Sequence, residues 1–201
     1  MAEATLTPQI DAWIMAGAYV DTNYGNNEFV RSGEHSASLF KMGLIKFDFS
    51  DFIGVTLMSD PILRLYRLVN DATTTRNFSL YMLLRNWTEA GVTYNRYNGT
   101  NTWETAGARA ATDIDLTIGA IATTSITGTG VNAWDEWTID KTKVQVWFDG
   151  TKTNYGMLLD ASTEAEEGRS WASKKNALGI SYYPQLTIEY SRHSSGAQLI
   201  F

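Results

Sequence analysis

Short runs of alternating hydrophobic and polar residues occur along most of the 201-residue chain. The stretch from Ser38 to Ser50, SLFKMGLIKFDFS, has apolar side chains at both alternating sets of positions. This pattern predicts a central strand whose outer face is covered at one end. A second strand is predicted over residues 61–69 and a third from Phe78. Turn-forming residues at 71–77 predict that these two strands form a hairpin.

Helical periodicity is almost absent, and the best helix candidate is a turn or two from Thr142 to Phe148. Further extended segments are predicted near residues 5–14, 29–31, 121–126, 134–140, 154–161, 169–173 and 183–190. About nine or ten short strands separated by turn signals are typical of an antiparallel β-sandwich of jelly-roll type. We therefore predict an all-β chain with one domain at residues 1–190 and a C-terminal tail at residues 191–201.

The segment from Phe78 to Trp103 contains two tryptophans and three tyrosines. This is more aromatic mass than a surface loop needs, so we expect the segment to cross and close the end of a hydrophobic core. Five tryptophans are predicted to be core residues. One, Trp87, lies in this segment, and the others are Trp134, Trp137, Trp147 and Trp171.

Composition narrows the possible functions. The chain has no cysteine, which excludes disulfides and thiolate metal sites. A formal charge of −6 argues against a nucleic-acid partner, because phosphate binding depends on clustered Lys and Arg. The N-terminal sequence lacks the pattern of an export signal, and no apolar stretch is long enough to span a membrane, so we expect neither export by such a signal nor membrane insertion.

Several motifs, in order along nearly the whole chain, resemble the DNRLRE domain family. They are Asp11-Ala-Trp-Ile, Asn23-Tyr-Gly, Leu44-Ile-Lys-Phe-Asp-Phe-Ser, Leu63-Arg-Leu-Tyr, Asn86-Trp-Thr-Glu-Ala-Gly-Val-Thr-Tyr-Asn, Val146-Trp, Asn154-Tyr-Gly-Met-Leu-Leu and Tyr183-Pro-Gln-Leu-Thr-Ile-Glu-Tyr. That family is related to archaeal disaggregatase repeats and includes modules that bind acidic polysaccharides such as alginate. The resemblance implies a non-catalytic jelly-roll, usually part of a secreted or surface protein and also found in virions.

The residues themselves also argue against catalysis. The only histidines are His35, in a polar loop, and His193, in the tail, so a Ser/His/Asp triad would lack a rigidly held base. Two groups of carboxylates have the residue types of a glycosidase: Asp135 with Glu136, and Glu164 with Glu166 and Glu167. We interpret them as solvated strand ends and an acidic turn, and predict that the chain is not an enzyme.

Calcium is the metal that the sequence favours, because oxygen ligands are concentrated in one loop at Asp21, Asn23, Asn26, Asn27 and Glu28. The same residue types occur in turns for backbone reasons alone. A bound calcium ion is therefore a hypothesis beside the plain turn, and no other cofactor is predicted.

Aromatic side chains on the surface would stack on sugar rings, and arginines would pair with uronate carboxylates. The candidate rings are Trp13, Tyr19, Tyr24, Tyr94, Tyr97 and Trp103. The candidate arginines are Arg85, Arg96 and Arg109. For each ring, packing in the core is the competing interpretation.

The chain ends with an apolar group, Leu199, Ile200 and Phe201, after a polar linker. An apolar tip of this kind is either disordered or docks, on its own domain, on a partner protein or on another copy in a homo-oligomer, and we expect docking. We therefore predict first a structural surface protein, a virion decoration or accessory protein attached through its termini. The alternative is a carbohydrate-binding module for an acidic polysaccharide such as alginate. Both hypotheses place the protein on a virion or another extracellular surface.

Overall fold

A computed structural model describes residues 1–34, 39–70, 75–127, 130–161 and 168–192, and it confirms an antiparallel β-sandwich of jelly-roll type. The described strands are β1 (Ala2–Leu6), β2 (Ile10–Met15), β3 (Phe29–Glu34), β4 (Phe40–Lys46), β5 (Val55–Leu57), β6 (Ile62–Asn70), β7 (Arg76–Met82), β8 (Ala122–Ile126), β9 (Ala133–Thr138), β10 (Met157–Asp160), β11 (Arg169–Ala172) and β12 (Gln185–Arg192).

The first layer, sheet A, is organised around β6. One edge of β6 pairs with β9, and the other edge pairs with β12 in its first half and with β11 in its second half. Strand β12 also pairs with β1 and β5, and β11 pairs with β3. Every one of these pairings is antiparallel.

The second layer, sheet B, is organised around β4. Strand β2 pairs along one edge of β4, while β10 lies on the other edge and is followed by β7 and β8. Strand β3 belongs to both layers, because residues 29–32 pair with β11 and residues 33–34 pair with β4. The twelve strands therefore form one hydrogen-bonded sheet that curls into two layers.

The main core lies between the two sheets. Sheet A contributes fully buried side chains such as Leu63, Trp137 and Trp171, and sheet B contributes Ile45 and Leu159. The helix α1 (Lys141–Phe148) packs on the same core through its apolar residues, and its N-terminus is capped by the Asp140 carboxylate, which accepts a hydrogen bond from the Thr142 backbone N–H. The predicted helix at residues 142–148 is thus confirmed.

A second core lies on the outer face of sheet B. It is covered by residues 83–121, which connect β7 to β8 and which we call the covering segment. Trp87, Val92 and Trp103 of this segment pack against Met42 and Leu44 of β4. Strand β4 is therefore buried on both faces, as its double apolar pattern predicts. The covering segment closes the outer face of sheet B, whereas the sequence predicts that it closes the end of the hydrophobic core.

Two features differ from the predictions. The predicted hairpin between residues 61–69 and the Phe78 strand is wrong, because β6 lies in sheet A and β7 in sheet B. Strand β12 also continues through Ser191 and Arg192, two residues past the predicted domain boundary.

Trp134 is not a core residue: it lies on the outer face of sheet A, half-buried, while its strand neighbour Asp135 faces inward. The other four tryptophans predicted as core, Trp87, Trp137, Trp147 and Trp171, are buried.

Within the described part of the chain, none of the helices combines the length and apolar character needed to cross a lipid bilayer.

Candidate functional site

A cleft of about 450 Å³ opens where β2, the start of β4 and the loop between β2 and β3 meet. Strand β2 contributes Trp13 and Met15, and the loop contributes Tyr19, Tyr24 and Asn27. The remaining lining residues are Arg31, Leu39 and Lys41.

Aromatic stacking forms the wall of the cleft. The rings of Trp13 and Tyr24 are stacked, with centroids 3.7 Å apart and planes inclined by 17°. The Arg31 guanidinium lies 5.0 Å from the Trp13 ring centroid and 4.8 Å from that of Phe29. Trp13 itself is only 4% exposed, whereas Tyr19 is 46% exposed and Tyr24 is half-buried. Ring surface is thus offered to a ligand mainly by the two tyrosines.

The polar groups of the cleft are cationic or neutral. Arg31 and Lys41 supply the charged groups, and the described lining residues include no Asp or Glu. Trp13 Nε1 is buried and has no hydrogen-bond partner among the described residues. A buried donor of this kind is uncommon in a folded protein. Burial raises the pKa of the Tyr24 phenol, so its hydroxyl stays protonated at neutral pH.

The loop that carries Tyr19 and Tyr24 is held to the covering segment by Asn23. The Asn23 amide donates to the carbonyls of Glu89 at 2.9 Å and Val92 at 2.6 Å, while its Oδ1 accepts from the Gly25 N–H. The neighbouring Asn95 amide donates to Asp21 at 2.9 Å. The tyrosines therefore project from a loop that is fixed at its middle.

The calcium candidates Asp21, Asn23, Asn26 and Glu28 have different roles in this loop. Asp21 and Asn23 act in the contacts just described, and the Glu28 carbonyl accepts from the Ser173 N–H. Asn26 lines a neighbouring cleft together with Lys175. No group of three or more His, Asp or Glu residues in the described ranges is placed to hold a metal ion, and calcium binding stays a prediction.

A charge cluster, of which only Asp11 is buried, adjoins the loop. Asp11 is buried; its Oδ2 accepts from the Lys174 N–H at 2.7 Å, and its own N–H donates to Glu89. Lys175 pairs with Glu89 at 2.7 Å, and Lys174 lies 3.6 Å from it. Burial raises the pKa of Asp11 to about 6, an effect that Glu89 reinforces and the two lysines oppose.

The other aromatic candidates lie in the covering segment and do not line the cleft. Trp103 is 3% exposed and donates its Nε1–H to the Thr93 carbonyl, which agrees with the competing interpretation of packing in the core. Tyr94 and Tyr97 are half-buried against the second core. Arg96 is exposed and donates to the Thr100 carbonyl at 2.8 Å.

The remaining candidate arginines are similarly engaged within the fold. Arg85 pairs with the buried Asp113 at 3.2 Å, and Arg109 lies 3.5 Å from Asp160.

The candidate carboxylate pair is divided between two environments. Asp135 is buried and pairs with Arg67, and it also accepts from Trp171 Nε1 at 2.7 Å. Its interpretation as a solvated group is therefore wrong. Glu136 is exposed and pairs with Arg64 at 2.8 Å. Glu164, Glu166, Glu167, both histidines and the assembly candidates Leu199, Ile200 and Phe201 lie outside the described residues.

Sequence analysis finds Trp13, Tyr19 and Tyr24 but misses Arg31 and Lys41. Both cations occur in strands with mixed patterns, where a charged side chain is ordinarily interpreted as solvent-facing. Their convergence depends on β3 joining the two sheets, which no local pattern reveals.

Comparison with known proteins gives one family. No curated protein matches the chain. The sequence profile of carbohydrate-binding module family 96 matches residues 2–190, nearly the whole described structure. This supports the carbohydrate-binding alternative of the sequence analysis at the level of the module class, while the DNRLRE assignment and virion decoration stay predictions. The chain belongs to carbohydrate-binding module family 96.

Proposed function

We propose that the protein binds a polysaccharide in the Trp13–Tyr24 cleft and that its preferred ligands carry uronate carboxylates, as alginate does. The observation that carries this proposal is a stacked aromatic pair that shares one cleft with the cationic side chains Arg31 and Lys41. The proposal assigns binding alone, in line with the non-catalytic role of a carbohydrate-binding module.

The chemistry of the cleft matches a uronate sugar in two ways. The C–H faces of a pyranose ring pack on the exposed surfaces of Tyr19 and Tyr24, which are apolar at the ring and polar at the hydroxyl. The carboxylate of a uronate sugar is matched in charge by the guanidinium of Arg31 and the ammonium of Lys41, which both line the cleft.

The substitution that tests the proposal is Arg31→Gln, which keeps a polar side chain and removes the charge. We expect the affinity for alginate, measured by isothermal titration calorimetry at low salt, to fall by about tenfold or more, because a charge-assisted pair is lost. The affinity of the unchanged protein for alginate should also decrease as salt is added.

Arg192→Gln is the matched control, because Arg192 also lies over an aromatic ring, that of Tyr190 at 5.7 Å. Arg192 donates to the Asp51 carbonyl, beyond the end of β4, whereas the cleft lies at the start of that strand. Its substitution should leave alginate binding unchanged. Equal losses in both variants, or none in Arg31→Gln, would contradict the proposed site.

A further inference from the structure

A second aromatic surface lies on the outer face of sheet A, and neither the sequence analysis nor the family match assigns it a role. The Tyr66 ring contacts Trp134 with centroids 5.2 Å apart and Tyr182 with centroids 4.6 Å apart, both edge to face. All three rings are half-buried, so part of each is open to solvent. We call these three residues the aromatic platform.

Strand register places the platform on the outside of the sandwich. Tyr66 is directly opposite Trp134 in the β6–β9 ladder, and Arg64 is directly opposite Glu136. The alternating neighbours Leu65 and Trp137 are fully buried in the main core. Since side chains alternate between the faces of a sheet, the rings and the Arg64–Glu136 pair share the outer face.

Polar side chains beside the rings have balanced charge. Arg64 pairs with Glu136 at 2.8 Å, and its guanidinium also lies 5.1 Å from the Trp134 ring centroid. Gln185 of β12 is opposite Arg64 on its other side. Donors from Arg64 and Gln185 and acceptors from Glu136 and Gln185 thus adjoin an aromatic surface without a net charge.

Exposed apolar residues lie close in sequence to Tyr182, at and just before the helical turn Ile180–Tyr182. Ile180 is 65% exposed and Leu178 is 51% exposed. Together with the three rings they place apolar surface beside solvent-accessible hydrogen-bonding groups, which is an arrangement characteristic of binding surfaces.

We propose that the aromatic platform is a second carbohydrate site, which binds a neutral glycan. The C–H faces of an uncharged pyranose would stack on Tyr66, Trp134 and Tyr182, and its hydroxyls would exchange hydrogen bonds with Arg64, Glu136 and Gln185. A neutral ligand fits this surface because the Arg64–Glu136 pair leaves it without a net charge, whereas the cleft is lined by the two cations Arg31 and Lys41. This site goes beyond the proposed function and is tested separately from the cleft.

The experiment compares matched tyrosine substitutions at the two sites by affinity electrophoresis in gels containing hydroxyethylcellulose, laminarin, galactomannan or alginate. The unchanged protein should be retarded by at least one of the neutral polymers. Tyr182→Ala should weaken that retardation by about tenfold in apparent affinity and leave alginate binding unchanged. Tyr19→Ala should weaken alginate binding and leave retardation by the neutral polymer unchanged.

A variant that alters an exposed group guards against loss of folding. Glu136→Gln removes only the charge of a surface carboxylate, and it should weaken binding to the same neutral polymer while near-UV circular dichroism stays unchanged. Retardation by alginate alone would overturn the second site and leave the proposed function standing. Retardation by a neutral polymer that is equal in Tyr182→Ala and in the unchanged protein would also overturn it.

Discussion

Asp11 is a buried carboxyl whose raised pKa couples stability to pH. Because burial raises its pKa to about 6, the folded protein holds this proton more tightly than the unfolded chain does. The stabilisation is fully present below about pH 4 and is lost as the pH rises through about 6. We expect the free energy of unfolding to fall by about 3 kcal/mol over this interval. Urea unfolding at several pH values will measure this loss.

The Asp11→Asn variant should lack this pH dependence, since Asn does not titrate, while its Oδ1 can still accept from the Lys174 N–H. Asp140→Asn is an informative contrast. Hydrogen bonds from Thr142 lower the pKa of Asp140, so the stability that its carboxylate contributes is lost in the opposite direction, as the pH falls. A profile for Asp11→Asn that matches that of the unchanged protein would show that Asp11 is not the titrating group.

Single residues of β9 also show which burial predictions from sequence patterns are right and which are wrong. The pattern of β9 suggests that its tryptophans are core and its carboxylates solvated, and for Trp137 and Glu136 this is right. It is wrong for Asp135, because Arg67 on β6 and Trp171 on β11 satisfy this carboxylate in the interior. These partners come from distant parts of the chain. Compensation of a buried charge cannot be predicted from its neighbours in sequence.

At the scale of elements, the covering segment explains the aromatic mass of residues 78–103. Asp113 organises it, accepting backbone hydrogen bonds from Glu104 and Thr105 as well as the Arg85 contact. Trp87 donates its Nε1–H to the Tyr155 carbonyl and thereby attaches the segment next to β10. The segment thus covers sheet B as a folded unit, and its contact with the Tyr24 loop supports one wall of the cleft.

Gly25 allows the Tyr24 loop and the covering segment to approach so closely. A Cβ at this position would lie 1.8 Å from the Glu89 carbonyl oxygen, which is a backbone atom. Gly25→Ala should therefore destabilise the protein by about 3 kcal/mol or more and weaken alginate binding, because the loop must move away. Urea unfolding and calorimetry will measure the two effects.

Gly54→Ala provides the control for a change that adds only a methyl group. Gly54 has φ +82°, and an added Cβ would meet no atom within 4 Å. The expected cost is about 1 kcal/mol from backbone strain alone, with binding unaffected. If the two alanine variants lose equal stability, close packing at Gly25 is not the reason for its glycine.

The positions of the strands and the helix can be predicted from the sequence. Which strands pair with each other is harder to predict. The helix at 142–148 and the double burial of β4 follow from local periodicity. The hairpin between β6 and β7 does not form, since turn residues show where a chain turns but not whether it returns to the same sheet. The assignment of neighbouring strands to different layers arises from packing across the whole sandwich.

At the scale of the whole molecule, the two proposed sites would let one copy contact two kinds of glycan. The cleft is cationic and suited to uronates, and the aromatic platform is uncharged and suited to neutral sugars. A matrix in which both kinds of polymer are physically connected would be held at two points. Such a linkage strengthens attachment by avidity without any change at either site.

Assembly through the residues after β12 stays a prediction, and light scattering can test it directly. The tail hypothesis expects the full chain to form a defined oligomer, which a chain ending at Arg192 fails to form because the apolar group Leu199–Phe201 is removed. If both forms have the same number of subunits per particle and the same circular dichroism, these residues have no assembly role.

Strand β12 lies between β1 and β6, so residues 186–190 complete a ladder whose other member is residues 2–6. During synthesis on the ribosome, β1 has no partner in this ladder until nearly the entire described chain has been translated. The edge of β6 that receives β12 is likewise open over that period. Completion of sheet A by β12 is therefore a late step of folding, and until then the chain is exposed to aggregation through these two strand edges.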